Sequence, residues 1–303
     1  MRSAGKIDTL AGKGAVRAAP LGRAPGARVQ SFLDNAFWWL ASVSLFAGLW
    51  EAAWAFGWAN PMLLPPPHIF LHDFFAQGKF FNADVRMSDA SPGVIALAVA
   101  TTVGYSTLRV LIGLTLGFAI SVSVGMAIRY APLLGKLVMP TVLLLAPVSP
   151  VAWMPVALFV FGIGNAPAIF LVVIALFFIM TLATVSMIDA VRPTYLDVAR
   201  IMGATRRQIF LQVILPAILP GLFMILRLNL FAAWMIVLIA ELIGVGSGLG
   251  QVVMVARNTF NSQLALFAMT VIGLTGFVLD VALREVQRRL LYWIPQGKGT
   301  LLQ

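Results

Sequence analysis

The chain has no cysteine among its 303 residues, which excludes disulfides, thiolate nucleophiles and thiolate metal sites. Histidine is almost as scarce. His68 and His72 stand at i and i+4 with Asp73 alongside, but no further ligand accompanies them, so the stretch reads as a solvated polar loop and no metal site is assigned. Charge is thin as well, at 11% of residues, with 11 acids against 21 lysines and arginines. Neither a Ser/His/Asp set nor a pair of carboxylates is spaced for catalysis, so no catalytic residue is assigned and an enzyme is not expected. The glycine run Gly244 to Gly250 lacks the Gly-Lys-Ser/Thr of a Walker A and follows no predicted strand; it reads as a turn at the outer membrane surface. The chain therefore binds no cofactor of its own, and any ATP it depends on is hydrolysed by another polypeptide.

What fills the space left by charge is apolar. With 60% hydrophobic residues and a mean hydropathy of +0.95, the sequence has too little polar surface to clothe a soluble globule. Windows of about 20 apolar residues, the length that crosses hydrocarbon as a helix, fall near 36–58, 106–128, 137–160, 166–188, 215–242 and 264–283. The fold class predicted is an all-α membrane protein with about six transmembrane helices. Six spans put both termini on one side, and the basic residues choose the cytoplasm: they gather before residue 30, at Arg129 and Lys136, between Arg192 and Arg207, and from Arg284 to Lys298, with only Lys79, Arg86 and Arg257 outside. The net charge of +10 is explained by this orientation, so nucleic acid is not a partner. Residues 1–32, rich in Ala, Gly and Arg, are expected to form a disordered cytoplasmic arm, residues 33–295 one helical membrane domain, and 296–303 a cytoplasmic tail. The prolines Pro65, Pro66 and Pro67 predict an extended path along the outer surface.

Several residues inside the spans are out of place in hydrocarbon. The third span carries Pro140, Pro147, Pro150 and Pro155 with Ser149 and Trp153 among them, which predicts either a broken helix beside a pathway or a kink for packing. Arg227, Trp234 and Glu241, seven residues apart, drift only about 40° around a helix and fall on one face. That face, with Asn229, is a candidate lining for a passage in which Arg227 or Arg109 favours a small anion. For Arg109 and Glu241 the plainer expectation is an ion pair between helices.

Residues 197–216 read Asp-Val-Ala-Arg-Ile-Met-Gly-Ala-Thr-Arg-Arg-Gln-Ile-Phe-Leu-Gln-Val-Ile-Leu-Pro, a polar and basic island on the cytoplasmic side. Thr194 with Asp197 and Thr205 with Gln208 each supply a capping-box pair, and Gly203 between them allows a turn, so the segment predicts a knob of two short helices at an angle. Its spacing resembles the cytoplasmic loop E-A-A-x3-G-x9-I-x-L-P of binding-protein-dependent ATP-binding cassette importers. Asp197, Val198, Ala199, Gly203, Val213, Leu215 and Pro216 fall on its positions; Ala199, Gly203, Leu215 and Pro216 match outright and the others depart conservatively. Further stretches, Thr107 to Gly113, Pro155 to Gly164, Ala240-Glu241, Gly246 to Gly250 and Leu291 to Pro295, look like the permeases of the nitrate, sulfonate, taurine and bicarbonate importers, over roughly residues 60–295. The resemblance implies a type I importer fold in a bacterial cytoplasmic (inner) membrane, a second permease copy expected as a homodimer partner, two ATPase subunits and an external substrate-binding protein, all surrounded by membrane lipid. It also makes 194–214 the loop that couples to the ATPase, through Asp197, Ala199, Arg200, Gly203, Ala204, Arg206 and Pro216. The competing class, a secondary carrier or channel working without an ATPase, would need ion-coordinating groups along its path and often two related halves; neither is evident beyond Glu241.

Overall fold

The computed structural model describes residues 25–58, 60, 62, 64–82 and 91–293, with side chains from Phe37 onward. Residues 1–24 of the expected arm, Pro61, Leu63, Arg86, Ile294, Pro295 and the expected tail 296–303 lie outside the described residues. The chain divides into two compact units, residues 1–59 and 60–303. The first is one helix, α1 (Pro25–Ala55), which begins inside the range expected for the arm and covers most of the first expected span. Proline at a helix start costs no hydrogen bond, and aromatic rings one turn apart, such as Phe46 and Trp50 at 6.0 Å, line its surface.

The second unit opens with α2 (Pro67–His72) and α3 (Phe74–Gly78). This corrects two expectations. Pro66 is extended, as predicted, but Pro67 takes the first helical position, where its missing N–H is no loss, and the His68 to His72 stretch is a helix rather than a loop. Helix α3 and the turn that follows it are seated on the start of α11: Phe74 and Phe81 pack edge-on against Phe267 at 5.3 and 5.6 Å, and the Thr102 hydroxyl donates to the Phe81 carbonyl at 3.0 Å.

The long helices follow: α4 (Pro92–Tyr130), α5 (Pro132–Leu145), α6 (Met154–Phe161), α7 (Asn165–Asp189), α9 (Arg206–Val245) and α11 (Ser262–Leu290), with the short α8 (Pro193–Ile201) and α10 (Leu249–Asn258) between them. Among the described residues, α4, α7, α9 and α11 are each long and apolar enough to cross a membrane, and α5 with the Pro150–Phe161 segment forms a pair bent by 102°. The break falls at Ala146 to Ser149, which contains Pro147 and is followed by Pro150, neither of which can donate the helical hydrogen bond.

Contacts between helices decide whether that bent pair crosses. Gly113 of α4 meets Val172 of α7, Gly117 meets Leu176 and Gly125 meets Thr184, so the two helices run parallel. Parallel neighbours require the intervening bent pair to carry the chain back the full length, which makes it one crossing. Gly221 of α9 lies against Met187, near the end of α7, while Glu241 reaches Arg109; α9 therefore runs antiparallel to both. Trp234 against Gly276, with Arg227 bonded to Asp280, sets α11 antiparallel to α9. Among the described residues this gives five crossings, α4, the bent pair, α7, α9 and α11, and the first of the about six expected spans falls on α1.

The core lies along α7, where Leu171, Val172, Leu176 and Met180 are fully buried between α4 and α9. Close approach is possible because α4 presents Gly113, Gly117, Ser121 and Gly125 every fourth residue on one face; a Cβ on Gly113 would sit 2.6 Å from the Val172 Cβ. Small residues at this spacing are how helices associate where lipid removes the hydrophobic drive.

Candidate functional site

Three polar features interrupt the apolar bundle. The first is the segment joining α7 to α9. Helix α8 begins at Pro193, with Arg192 rather than Thr194 at its cap position, so the expected Thr194 and Asp197 capping box does not form; Pro193 takes the first helical position and Asp197 instead pairs with Arg200 at 3.1 Å. The helix ends as a Schellman motif. Gly203 sits at φ +78°, its N–H donates to the Arg200 carbonyl at 2.9 Å, and the Ala204 N–H donates to the Ala199 carbonyl at 3.0 Å. The second capping box forms as expected: the Gln208 N–H donates to Thr205 Oγ1, and the Thr205 N–H donates to Gln208 Oε1 at 2.8 Å. From Arg206 the chain enters α9 through a π-helical turn, Ile209–Ile214, just before Pro216. Thr205→Ala is expected to cost about 1 kcal/mol at this cap and to speed hydrogen exchange of the Gln208 amide about fivefold; unchanged exchange would remove the cap from the account.

The helix–glycine–helix knob is thus present, and its exposure is uneven. Asp197, Arg200, Arg206 and Arg207 are exposed, Ala199 is buried, and Ala204 and Pro216 are half-buried. Ile201 and Met202, which sequence reasoning passed over, are 86% and 81% exposed at the tip. Apolar side chains displayed on a basic knob are the composition of a protein contact. The signal was available, since both stand directly before the turning glycine.

The second feature lies at the opposite end of the helices. Arg109 of α4 and Glu241 of α9 are buried and paired, with Nη1 to Oε1 at 2.5 Å. Every N–H of the guanidinium has an acceptor: Nε and Nη2 donate to Asn165 Oδ1 at 2.9 and 2.7 Å, Nη1 donates also to the Ser247 carbonyl at 2.9 Å, and Nη2 donates to Ser247 Oγ at 2.7 Å. The carboxylate accepts from the Ser106 hydroxyl at 2.7 Å and the Gly250 N–H at 2.9 Å, and Ser106 Oγ accepts the Leu249 N–H at 2.9 Å. The glycine run is shaped around this carboxylate. After the π-helical turn Glu241–Val245, Gly246 at φ +74° and Gly248 at φ +110° reverse the chain, and a Cβ on Gly248 would overlap the Glu241 carboxyl group. The run does turn the chain, and it also supplies the Gly250 donor for the carboxylate and the Ser247 acceptors for the guanidinium that a buried ion pair requires.

The third feature is Asp280 of α11, buried between Arg227 of α9, at 2.8 Å from Nε to Oδ1, and Arg284 of its own helix. The two arginine side chains stay 38% and 51% exposed, and the trio carries a net charge of +1. The remaining residues placed on the expected lining separate. Asn229 donates to the Ile225 carbonyl within its own helix at 2.9 Å. Trp234 is buried beside Gly276, and its indole N–H has no hydrogen-bond partner among the described residues. Ser149 and Pro150 form the corner of the bent pair, where the Trp153 indole N–H is also without a partner among the described residues. Arg227 and Trp234 face α11, whereas Glu241 faces α4, so the three do not share one neighbour. Among the described residues no three His, Cys, Asp or Glu side chains gather in a way that could hold a metal ion.

Known proteins resemble this chain in sequence and fold. Residues 113–292 match the family described as binding-protein-dependent transport system inner membrane component. A putative ABC transporter permease of Methanocaldococcus jannaschii is 32% identical over 61% of this chain and 70% of its own length. The taurine transport system permease protein TauC of Escherichia coli is 27% identical over 84% of this chain and 88% of its own length, and the nitrate import permease protein NrtB of Synechococcus elongatus is 29% identical over 61% and 65%. Among solved structures, a chain of the inward-facing methionine ABC transporter MetNI superposes with a TM-score of 0.56 at 19% identity, covering 66% of this chain and 99% of that one, which is a likeness of fold. The match spans the knob, the Glu241 turn and all but the last residue of the described C-terminal part, and with it this membrane-spanning chain belongs to the permease family of the binding-protein-dependent ATP-binding cassette transport systems.

Proposed function

We propose that the chain forms, with a second copy of itself, the translocation pathway of an importer for a small anionic solute of the nitrate, sulfonate, taurine or bicarbonate type. In this reading two cytoplasmic ATPase subunits hydrolyse the ATP, an external binding protein delivers the solute, and the chain lies in a bacterial inner membrane with both termini cytoplasmic. Residues 194–214 are the coupling loop: Ile201 and Met202 enter the ATPase, Arg200, Arg206 and Arg207 supply steering charge, and Gly203 sets the angle between the two helices.

The observation that carries this reading is the continuity of α9. One helix of 40 residues runs from the knob at Arg206, past Arg227 and Trp234, to the Glu241 turn. A displacement imposed on its exposed end is carried as a rigid element to charged groups at membrane depth, which is the kind of two-state element an allosteric step needs. The anionic solute is supported by the trio Arg227, Asp280 and Arg284: a partly exposed guanidinium halfway along a span needs water beside it, and the surplus positive charge favours an anion there. The names of the taurine and nitrate relatives point the same way. In this reading Trp153, Trp234, Ser149, Pro150 and Asn229 stay candidates for the passage, and Arg109 with Glu241 locks its far end.

The test is uptake and substrate-stimulated ATP hydrolysis in liposomes holding the complete complex, with nitrate, taurine, bicarbonate and methionine compared. Arg227→Met brings the trio to neutrality and is expected to lower anion uptake about tenfold or more while assembly persists. Unchanged uptake and unchanged preference in an assembled complex would sink the anion pathway. Transport by the permease alone without ATP would sink the importer.

A further inference from the structure

Helices α4 and α5 meet at a corner, Tyr130 to Pro132, beside the last turn of α7, and between them lies a groove of about 650 Å³. Its chemistry is divided along its length. Arg129, Lys136 and Asp189 stand near the helix ends, whereas Met139, Pro140, Leu143 and Val185 line the part further along the spans; from Lys136 to Leu143 is two turns, about 10 Å. Asp189 engages only Nε of Arg129, at 2.5 Å. The other guanidinium nitrogens and the Lys136 ammonium have no hydrogen-bond or ion-pair partner among the described residues. Pro140 has no N–H to give to the Lys136 carbonyl, so a backbone acceptor is available in the same wall.

A soluble anion would use one surplus charge at an open surface and leave the apolar part of the groove wet. A molecule with a phosphate at one end and hydrocarbon at the other satisfies both parts. We propose that this groove binds one anionic phospholipid, its phosphate against Lys136 and Arg129, a headgroup or glycerol hydroxyl donating to the Lys136 carbonyl, and an acyl chain along Met139, Pro140 and Leu143. A basic pocket between helices at a membrane surface is the setting in which such headgroups are held. The lipid braces the Arg129–Asp189 corner, and the knob helix α8 begins four residues beyond Asp189, so the site adjoins the moving part without touching the pathway. This assignment does not depend on which solute is carried.

The test is native mass spectrometry of the complete complex in detergent, titrated with dioleoylphosphatidylglycerol or dioleoylphosphatidylcholine. One phosphatidylglycerol retained per permease chain in preference to phosphatidylcholine is expected. Lys136→Gln is expected to weaken the phosphatidylglycerol about fivefold, the worth of one basic residue near the headgroups, without changing phosphatidylcholine. Leu143→Trp, which fills the apolar part and keeps every charge, is expected to weaken it as well, while Lys79→Gln at the opposite end has no effect. Melting temperatures without added lipid separate these losses from misfolding. The proposal is overturned by equal losses from Lys136→Gln and Lys79→Gln, by glycerol phosphate competing as well as the lipid, or by binding to the permease alone that disappears in the complex.

Discussion

Glu241→Ala is expected to destabilise the permease by about 3–5 kcal/mol, the largest stability effect of any single change considered. The substitution leaves the Arg109 guanidinium buried without a counter-charge, and it removes the acceptor of the Ser106 hydroxyl and the Gly250 N–H. Arg109→Ala is expected to fall in the same range, because Asn165 and Ser247 lose their donor while the carboxylate stays buried. The double variant Arg109→Met with Glu241→Leu separates charge from hydrogen bonding. It removes the uncompensated charge and leaves the buried Gly250 N–H without an acceptor, at about 1–3 kcal/mol, while Ser106 keeps the Leu249 N–H as a partner and Asn165 is exposed to water. Its stability is therefore expected to lie between that of the single variants and the wild type. Denaturant unfolding of the purified permease measures all four forms. A single-variant loss below about 1 kcal/mol would mean that the network is not holding α4, α7 and α9 together.

The second large effect is expected at Gly203 and is read in function. At φ +78° an L-residue costs about 1–2 kcal/mol, and a β-branched one suffers most. No atom lies within 4 Å of where a Cβ would stand, so the penalty is one of backbone conformation and not of packing. Gly203→Val is expected to open the Schellman turn, change the angle between α8 and the start of α9, and lower substrate-stimulated ATP hydrolysis at least about tenfold, with the spans intact. Gly203→Asn, which tolerates the left-handed region, is expected to keep most of the stimulation. Equal loss in both variants would show that the absence of a side chain matters at this position rather than the backbone angle.

These two predictions draw on different levels of information. The Gly203 turn and the Thr205 cap were legible in the sequence because both are local: a glycine between two short helices and a Thr with Gln three residues on act over one turn of chain. The Thr194 cap failed for a local reason as well, since Pro193 competes for the first helical position and wins. Hydropathy found the span to within a few residues in α7 and at the end of α9, but it began α9 nine residues late, at 215, because the first turns from Arg206 are polar and basic. It missed the true length of α4, whose 39 residues extend about 58 Å, nearly twice a bilayer core, because an apolar helix outside the hydrocarbon reads the same as one inside.

Partner choice is of another kind. The sequence offered Arg109, Arg227 and Glu241 as costly charges and could not pair them. Periodicity placed Arg227, Trp234 and Glu241 on one face of one helix, yet it carries no information about which helix lies opposite at each level. The tertiary structure put α11 beside Arg227 and α4 beside Glu241, and so brought in Asp280, 53 positions from Arg227, and Asn165 and Ser247, 56 and 138 positions from the Arg109 they serve. The stripe Gly113, Gly117, Ser121 and Gly125 shows the same division: the small residues were readable every fourth position, but only the parallel packing of α4 on α7 gave them a purpose. By itself the sequence determined the all-α membrane class, the knob and the residues too polar for hydrocarbon, because these follow from composition and from contacts within one turn. Only the tertiary structure decided which of those residues pair, where the bent segment crosses and how the knob is joined to the charged interior, because such contacts form between segments far apart in the chain and depend on the mutual fit of whole helices.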